Sequence, residues 1–217
     1  MSSLLAVVVS YGATPQLPGL LSALAEMADC QVVLVENSSA PVPEELPAAV
    51  RVHRGHGNVG YGTAVNLAVR RHLEQGEAAD WLLVVNSDIS IPPDTGEMLP
   101  KLLAEAPGDA DVMGFAFRTP DGRPDLGWGF FPSRRANAHR IVRGLDSTVA
   151  RWPELRYPSG AFFAVRLPAF LRVGGFDPAY WMYYEETDLF ARLRAVGGRT
   201  VWADGSWPVV HGGGATA

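Results

Sequence analysis

The stretch LLAVVVSYGATPQLPGLLSALAEMADCQVVLVENSS, residues 4–39, decides the fold. Leu4–Ser10 is an unbroken apolar run of the kind shown by a strand buried on both faces. Tyr11-Gly12-Ala13 turns the chain, Thr14 suits a helix N-cap, and Pro15 suits the first helical position. Leu17, Leu20, Leu21, Leu24 and Met27 then recur at helical spacing. Gln31–Glu36 is a second buried run that stops in the turn residues Asn37-Ser38-Ser39. Strand, helix and strand in this order make a βαβ unit, because parallel strands need a crossover of this length.

The same rhythm continues outward. Val50–His53 reads as a short third strand. The glycine-rich GHGNVGYG at 55–62 opens a helix running to about Gln75, with Tyr61, Val65, Val69 and Leu73 on its apolar face. Trp81–Val85 is a fourth buried strand ending at Asn86-Ser87-Asp88, and Pro92-Pro93 restarts the chain into a helix carrying Met98, Leu99, Leu102 and Leu103. The fold class is therefore α/β, with a mostly parallel central sheet flanked by helices. Beyond it, Asp111–Phe117 reads as one more strand, Leu167–Val173 and Glu185–Val196 as helices, and Arg199–Ala203 as a strand. Residues 126–150 show no sustained period and read as a solvated surface loop. That segment carries a basic cluster of Arg134, Arg135, His139, Arg140 and Arg143, suited to a phosphate on a lipid-linked acceptor or to an anionic membrane.

Composition narrows the function. The chain has 217 residues, 19% charged and 47% apolar, with a formal charge of −5. At ~150 residues per domain, one domain is favoured. The acidic balance excludes a chain-wide basic surface, while a local basic patch stays open, and no nucleic-acid partner is expected. Cys30, the single cysteine, permits no internal disulfide and favours a reducing cytoplasm. The longest clean apolar run, Leu4–Val9, is far short of the ~20 residues that span a bilayer. Met1-Ser2-Ser3 has neither the charge nor the cleavage site of a secretory leader. A soluble cytoplasmic protein is expected, with peripheral contact at the inner face of the membrane left open.

Ligands of open α/β sheets bind beyond the carboxyl ends of the strands. Ser10-Tyr11, Glu36-Asn37 and Asn86-Ser87-Asp88 all fall there, with the glycine-rich loop between them, which together describe a nucleotide crevice. Gly55-x-Gly57-x-x-Gly60 matches the dinucleotide fingerprint only superficially. It follows the third strand instead of the first, and Asp80, twenty positions beyond Gly60, precedes a strand instead of ending one. Asp88 could serve a hard divalent cation, which often takes one or two carboxylates plus substrate phosphates; an Asx-turn explains the same residue. Glu185, Glu186 and Asp188 follow the aromatic run Tyr180-Trp181-Met182-Tyr183-Tyr184. Acidic residues in a first helical turn commonly answer the macrodipole, yet carboxylates beside aromatic rings also suit a base in a sugar-binding wall.

Five segments together resemble the family-two inverting glycosyltransferases of the GT-A fold, on their rhamnosyltransferase-like branch. They are VVVSYG at 7–12, VVLVENSS at 32–39, NVGYGTAVN at 58–66, VVNSD at 84–88, and the stretch from YPSGAFFAVR through VGGFDPAYWMYYEETDLFARLRAVGG to VVHGGG at 209–214. The resemblance implies a single GT-A domain over 1–217, with a nucleotide-binding half at 1–115 and an acceptor half at 116–217. It implies a nucleotide-sugar donor, dTDP- or UDP-linked with dTDP-rhamnose first, and a carbohydrate, lipid-linked or small-molecule acceptor. Ser10, Tyr11, Glu36, Asn58, Gly60, Asn66, Asn86 and Ser87 are implied at the nucleotide. Ser159, Gly160, Ala161 and Trp181 are implied at the donor and acceptor sugars. Asp88 and His211 are implied as ligands of Mg²⁺ or Mn²⁺. Glu186 stands where the general base is expected, with Glu185 and Asp188 as alternatives. Two other readings stay open. A sugar-phosphate nucleotidyltransferase would carry a basic, glycine-rich loop after the first strand, which VVVSYGATP lacks; a silent nucleotide-sugar-binding scaffold would have no use for the carboxylate cluster.

Overall fold

The computed structural model describes residues 2–42, 45–203, 205 and 207–212. The first half runs β1 (Leu4–Ser10), α1 (Leu17–Ala25), β2 (Cys30–Glu36), β3 (Val50–His53), α2 (Tyr61–Glu74) and β4 (Trp81–Asn86). Then come β5 (Ile89–Ser90), α3 (Thr95–Ala104), β6 (Ala110–Gly114), β7 (Phe117–Arg118), β8 (Pro124–Asp125) and β9 (Trp128–Phe130). The rest is α4 (Arg134–Arg143), α5 (Leu145–Arg151), β10 (Arg156–Pro158), β11 (Phe162–Arg166), α6 (Leu167–Arg172), α7 (Glu185–Ala195), β12 (Arg199–Trp202) and β13 (Val209–His211).

Seven strands form the central sheet in the order β12-β6-β11-β4-β1-β2-β3. β1 pairs in parallel with both β2 and β4, while β11 runs antiparallel to β4 and β6. The sheet is mostly parallel, as the sequence rhythm requires. Every residue of β1 is buried, and the two-residue period of a strand divides them between two cores. Leu4, Ala6 and Val8 join Leu17, Leu20, Leu21 and Leu24 of α1. Leu5, Val7 and Val9 join Ala64, Val65, Ala68 and Val69 of α2. Each buried Leu or Val side chain among them contributes about 1.5–3 kcal/mol.

Local readings differ in four places. Thr14 does not cap α1: Gln16 is the N-cap, without a side-chain bond, and the Thr14 hydroxyl donates to the Ser87 carbonyl at 2.6 Å. The tertiary bond outcompetes the local one because it ties the loop after β1 to the end of β4. On α2, Leu73 is exposed and His72 is buried, since the buried stripe runs through Gly62, Val65 and Val69 to His72. The reading of one strand over 111–117 divides at Gly114, where β6 leaves the central sheet and β7 enters a second one. Residues 126–150 are not a loop: α4 and α5 form a helical hairpin between the antiparallel strands β9 and β10. Five arginines over 133–151 mask the apolar periodicity that normally reveals a helix.

The fold sets the site by two pairings. Because β11 is antiparallel to β4, with Phe162 opposite Val85, residues 159–161 arrive at the edge where the parallel strands end. The Asn86 N–H donates to the Ala161 carbonyl there, at 2.8 Å. The second sheet, β5-β13-β7-β8, pairs His211 with Ile89, which brings the last described strand beside Asp88. Among the described residues, no helix is long and apolar enough to cross a membrane.

Candidate active site

Two adjoining cavities open at the carboxyl edge of the sheet. The first, about 320 Å³, is walled by the ends of β1 and β4, by Asn37 and Asn58, and by Trp181 and Met182. The second, about 260 Å³, is walled by Ser159-Gly160-Ala161, Met182, Glu185, Glu186 and His211. Tyr61, Asn86, Asp88 and Met182 border both, so Asp88 stands at the junction.

Most of the residues singled out in the sequence converge here. Ser10, Tyr11, Asn58, Asn86, Ser87 and Trp181 line the first cavity. Tyr11 is 63% exposed, and its ring is free to meet a flat ligand. Gly60 holds φ +83° and ψ 166°, a backbone region open essentially to glycine alone. Its N–H donates to Asn58 Oδ1 at 3.1 Å, and its carbonyl accepts from Asn37 Nδ2 at 3.2 Å.

Three expected residues are placed otherwise. Glu36 is buried beneath the crevice, where its Oε1 accepts from the N–H groups of Gly12 (2.9 Å) and Ser38 (2.8 Å). It shapes the loops after β1 and β2. Asn66 is turned away: its Nδ2 donates to the Phe176 carbonyl at 2.7 Å and its Oδ1 accepts from the Phe176 N–H at 3.0 Å. Asp188 pairs with Arg192 at 2.6 Å, one helical turn on, and lines neither cavity. Residue type and position in a motif do not distinguish a carboxylate aimed at a cleft from one aimed along its own helix.

Glu185 and Glu186 remain. Glu185 is 6% exposed, and its buried Oε2 has no hydrogen-bond partner. Burial, reinforced by the neighbouring Glu186 charge, pushes its carboxyl from 4.5 up to about 7. Burial also raises the Glu186 carboxyl above its ordinary value. A Cβ added to Gly160 would lie 3.3 Å from Glu186 Cβ and Cγ, so Glu186 packs against the small-residue turn bordering the second cavity. Just before α7, Tyr183 and Tyr184 both adopt φ +66°. Left-handed backbone at two consecutive non-glycine residues costs roughly 1–2 kcal/mol each, and such strain concentrates at functional sites.

At the junction, Asp88 Oδ2 lies 3.5 Å from His211 Nε2, and Asp125 Oδ2 lies 3.8 Å from His211 Nδ1. Hydrogen bonding and charge from Asp88 raise the His211 imidazole above its ordinary value. Asp88 Oδ1 is buried and has no partner. Gly213 and Gly214 of the terminal motif lie outside the described residues.

The sequence reading missed several wall residues. Tyr61 looked like part of an apolar helix face, but its hydroxyl donates to the Gly160 carbonyl at 2.8 Å and bridges the two halves. Asn37, read with Glu36 as part of the crevice, does line the first cavity. His56 Nε2 holds Asn37 Oδ1 at 3.1 Å. Asp125 gave no signal, because its place beside His211 is set by the second sheet.

No protein-family model matches the chain. It is 29% identical over 236 residues to N-acetylglucosaminyl-diphospho-decaprenol L-rhamnosyltransferase of Mycobacterium tuberculosis, in strains CDC 1551 / Oshkosh and ATCC 25618 / H37Rv. That similarity covers 94% of this chain and 74% of each relative. Among solved structures it is similar to the mannosyltransferase PcManGT of Pyrobaculum calidifontis, in complex with GDP-Man and Mn²⁺, with a TM-score of 0.66 at 15% identity over the whole chain. It is also similar to TarS of S. aureus, with a TM-score of 0.66 at 16% identity over 97% of the chain. It spans 58% and 36% of those two solved chains, respectively. The structural likenesses carry the fold, and the sequence similarity to the rhamnosyltransferase runs along nearly the whole chain. The chain is a glycosyltransferase of the GT-A fold, similar along nearly its whole length to an L-rhamnosyltransferase.

Proposed function

We propose that this glycosyltransferase moves a sugar, with inversion, from a nucleotide-diphosphate donor to an acceptor hydroxyl. The observation that carries the reading is Asp88 at the junction of two cavities, one walled for a nucleotide and the other holding Glu185 and Glu186. The nucleoside occupies the first cavity beside Tyr11, Asn37 and Asn58, the diphosphate reaches Asp88, and the sugar lies in the second cavity against Ser159-Gly160-Ala161. A single GT-A unit formed from both halves of the chain accommodates this arrangement.

Asp88 and His211 fit a divalent cation. The buried, unpartnered Asp88 Oδ1 needs a positive partner, and Asp125 behind His211 would orient the imidazole, as outer-shell carboxylates do. Among the described residues there is no cluster of three or more metal-binding side chains. A site of two protein ligands suits Mg²⁺ or Mn²⁺ completed by substrate phosphates and water, and the imidazole favours Mn²⁺. When bound, such an ion supplies Lewis-acid stabilisation of the charge on the departing diphosphate.

The remaining chemistry belongs to the chain. Glu186, its proton affinity raised by burial, takes the proton of the acceptor hydroxyl as that oxygen bonds to the anomeric carbon. The bond from that carbon to the diphosphate oxygen breaks on the opposite face, through an oxocarbenium-like state. One displacement inverts the centre. Tyr61, by fixing the Gly160 carbonyl, sets the width of the gap in which this occurs. The relatives are L-rhamnosyltransferases of N-acetylglucosaminyl-diphospho-decaprenol by name, which supports rhamnose as the sugar and a lipid-linked acceptor, dTDP-rhamnose being the first donor to try.

The test is a thermal-shift panel of UDP, dTDP and GDP with Mn²⁺ and with EDTA, followed by donor turnover. A nucleotide at 100 times its Kd adds about 2.7 kcal/mol, which is readily seen as a melting shift. A shift for one nucleotide that EDTA removes is the expected result. Melting that ignores every nucleotide would sink the reading.

A further inference from the structure

We infer that the α4–α5 hairpin docks the protein on an anionic lipid surface, inserting Ile141 and Val142 among the acyl chains. Ile141 is 84% exposed and Val142 76%, the two most exposed large apolar side chains among the described residues. They sit at the end of α4, where Gly144 (φ +83°) turns the chain into α5. At 100° per residue, Arg134, Ala138 and Ile141 form one outward stripe, with Val142 and Arg135 beside it. Ala136 is the only buried residue of α4. In the usual arrangement the apolar stripe faces the core; here the two aliphatic side chains face water beside the charges.

The inner side of the hairpin is already satisfied. His139 Nδ1 lies 3.0 Å from Thr148 Oγ1, and the Thr148 hydroxyl donates to the Gly144 carbonyl at 2.8 Å. The His139 ring also meets the Trp152 ring edge-on at 5.2 Å. The outward residues are therefore not waiting to fold inward.

Charge selects the occupant. Residues 133–151 hold five arginines and one acid, Asp146, in a chain of net charge −5. Arg134, Arg135, Arg140 and Arg143 are all exposed and flank the aliphatic pair. A polyanion such as nucleic acid would use the arginines and leave Ile141 and Val142 in water. A bilayer with anionic headgroups uses both, because basic residues meet the surface potential while apolar ones enter the acyl boundary. The hairpin is rooted in β9 and β10, and β10 ends at Pro158, immediately before the wall of the second cavity. Docking through it would hold that cavity at a membrane surface. The inference does not depend on the identity of the donor or of the base.

The experiment is co-sedimentation of the full chain with vesicles of phosphatidylcholine alone or mixed with phosphatidylglycerol, alongside binding to heparin beads. Wild type should pellet only with phosphatidylglycerol present. Each Arg→Gln change should weaken partitioning about fivefold, and R134Q/R135Q/R140Q/R143Q should remove it. I141S/V142S should weaken vesicle partitioning about tenfold while leaving heparin binding unchanged. Both side chains are solvated, so the double variant should also keep the wild-type melting temperature, and it decides the matter if the quadruple variant folds poorly. Equal pelleting of wild type and I141S/V142S overturns the inference in favour of simple polyanion binding. Wild type that pellets with neither vesicle overturns it outright.

Discussion

A Cβ at position 60 would stand 2.2 Å from the carbonyl oxygen of Trp181. That contact joins the glycine-rich loop to the aromatic segment before α7, and the Tyr61 N–H donates to the same carbonyl at 3.3 Å. Gly60→Ala must therefore move a main-chain atom as well as adopt a forbidden backbone angle. The backbone conformation alone costs about 1–3 kcal/mol. Because Trp181 and Met182 wall the first cavity, an ångström-scale shift should also lower turnover by about 10²-fold. Melting temperature and turnover measured together check both effects; an unaltered turnover would show that the aromatic segment does not position the donor.

Glu186→Gln should lower turnover by about 10²-fold or more while nucleotide affinity stays near wild type. Glutamine keeps the shape against Gly160 but cannot take a proton. Glu185→Gln should cost less, because Glu185 acts only as a buried neighbour in the proposed mechanism. If the two effects come out in the reverse order, Glu185 is the base.

Much of this site was legible in the sequence because strand ends and glycine loops obey local rules. The run Leu4–Ser10 could only be a strand buried on both faces, and its carboxyl end had to lie beside those of β2 and β4. The placement of Asp88 followed from that edge, whereas the Ser159-Gly160-Ala161 turn was implied only by the family resemblance and reaches the edge through the antiparallel β11. Side-chain direction was not legible. Glu36, Asn66 and Asp188 have the expected chemistry, but each is consumed by another partner: two backbone amides for Glu36, the Phe176 main chain for Asn66, and for Asp188 the Arg192 one turn along its own helix. The α4–α5 hairpin was illegible for a different reason, its apolar residues facing outward.

Asn66 illustrates the distinction between holding a site and touching a ligand. Its amide satisfies both main-chain groups of Phe176, whose side chain is buried. Asn66→Ala leaves a donor and an acceptor unpaired, at about 1–3 kcal/mol for each that stays dry. Asn66→Asp keeps the acceptor and loses the donor, so it should be intermediate at neutral pH. Chemical denaturation should rank wild type, Asp and Ala in that order, with nucleotide affinity of the folded fraction unchanged. A loss of affinity without a loss of stability would place Asn66 at the ligand after all.

The Glu185 carboxyl predicts a pH signature in stability. Its value rises from 4.5 in the unfolded chain to about 7 in the fold, so the folded state holds the proton more tightly. The stabilisation is fully present below about 4.5 and is lost as pH rises through about 7. Between those limits, wild-type melting temperature should decline relative to Glu185→Gln, which has no proton to lose. Parallel profiles for the two proteins would mean that Glu185 is solvated.

Asp88 and His211 make the last prediction, which concerns the cation. A cation held by Asp88 and His211 would supply the positive charge that the unpartnered Asp88 carboxylate lacks and would help hold the diphosphate. Asp88→Asn should thus abolish the Mn²⁺-dependent part of nucleotide-diphosphate binding. His211→Ala, which leaves Asp88 in place, should weaken it and raise the Mn²⁺ concentration needed. Both should leave binding of the bare nucleoside nearly unchanged, because the Tyr11 and Asn58 wall is intact. Titration calorimetry of nucleoside and nucleoside diphosphate, each with Mn²⁺ and with EDTA, separates these contributions. If wild type binds the diphosphate equally well in EDTA, Asp88 and His211 serve the fold through their 3.5 Å contact, and transfer proceeds without a metal.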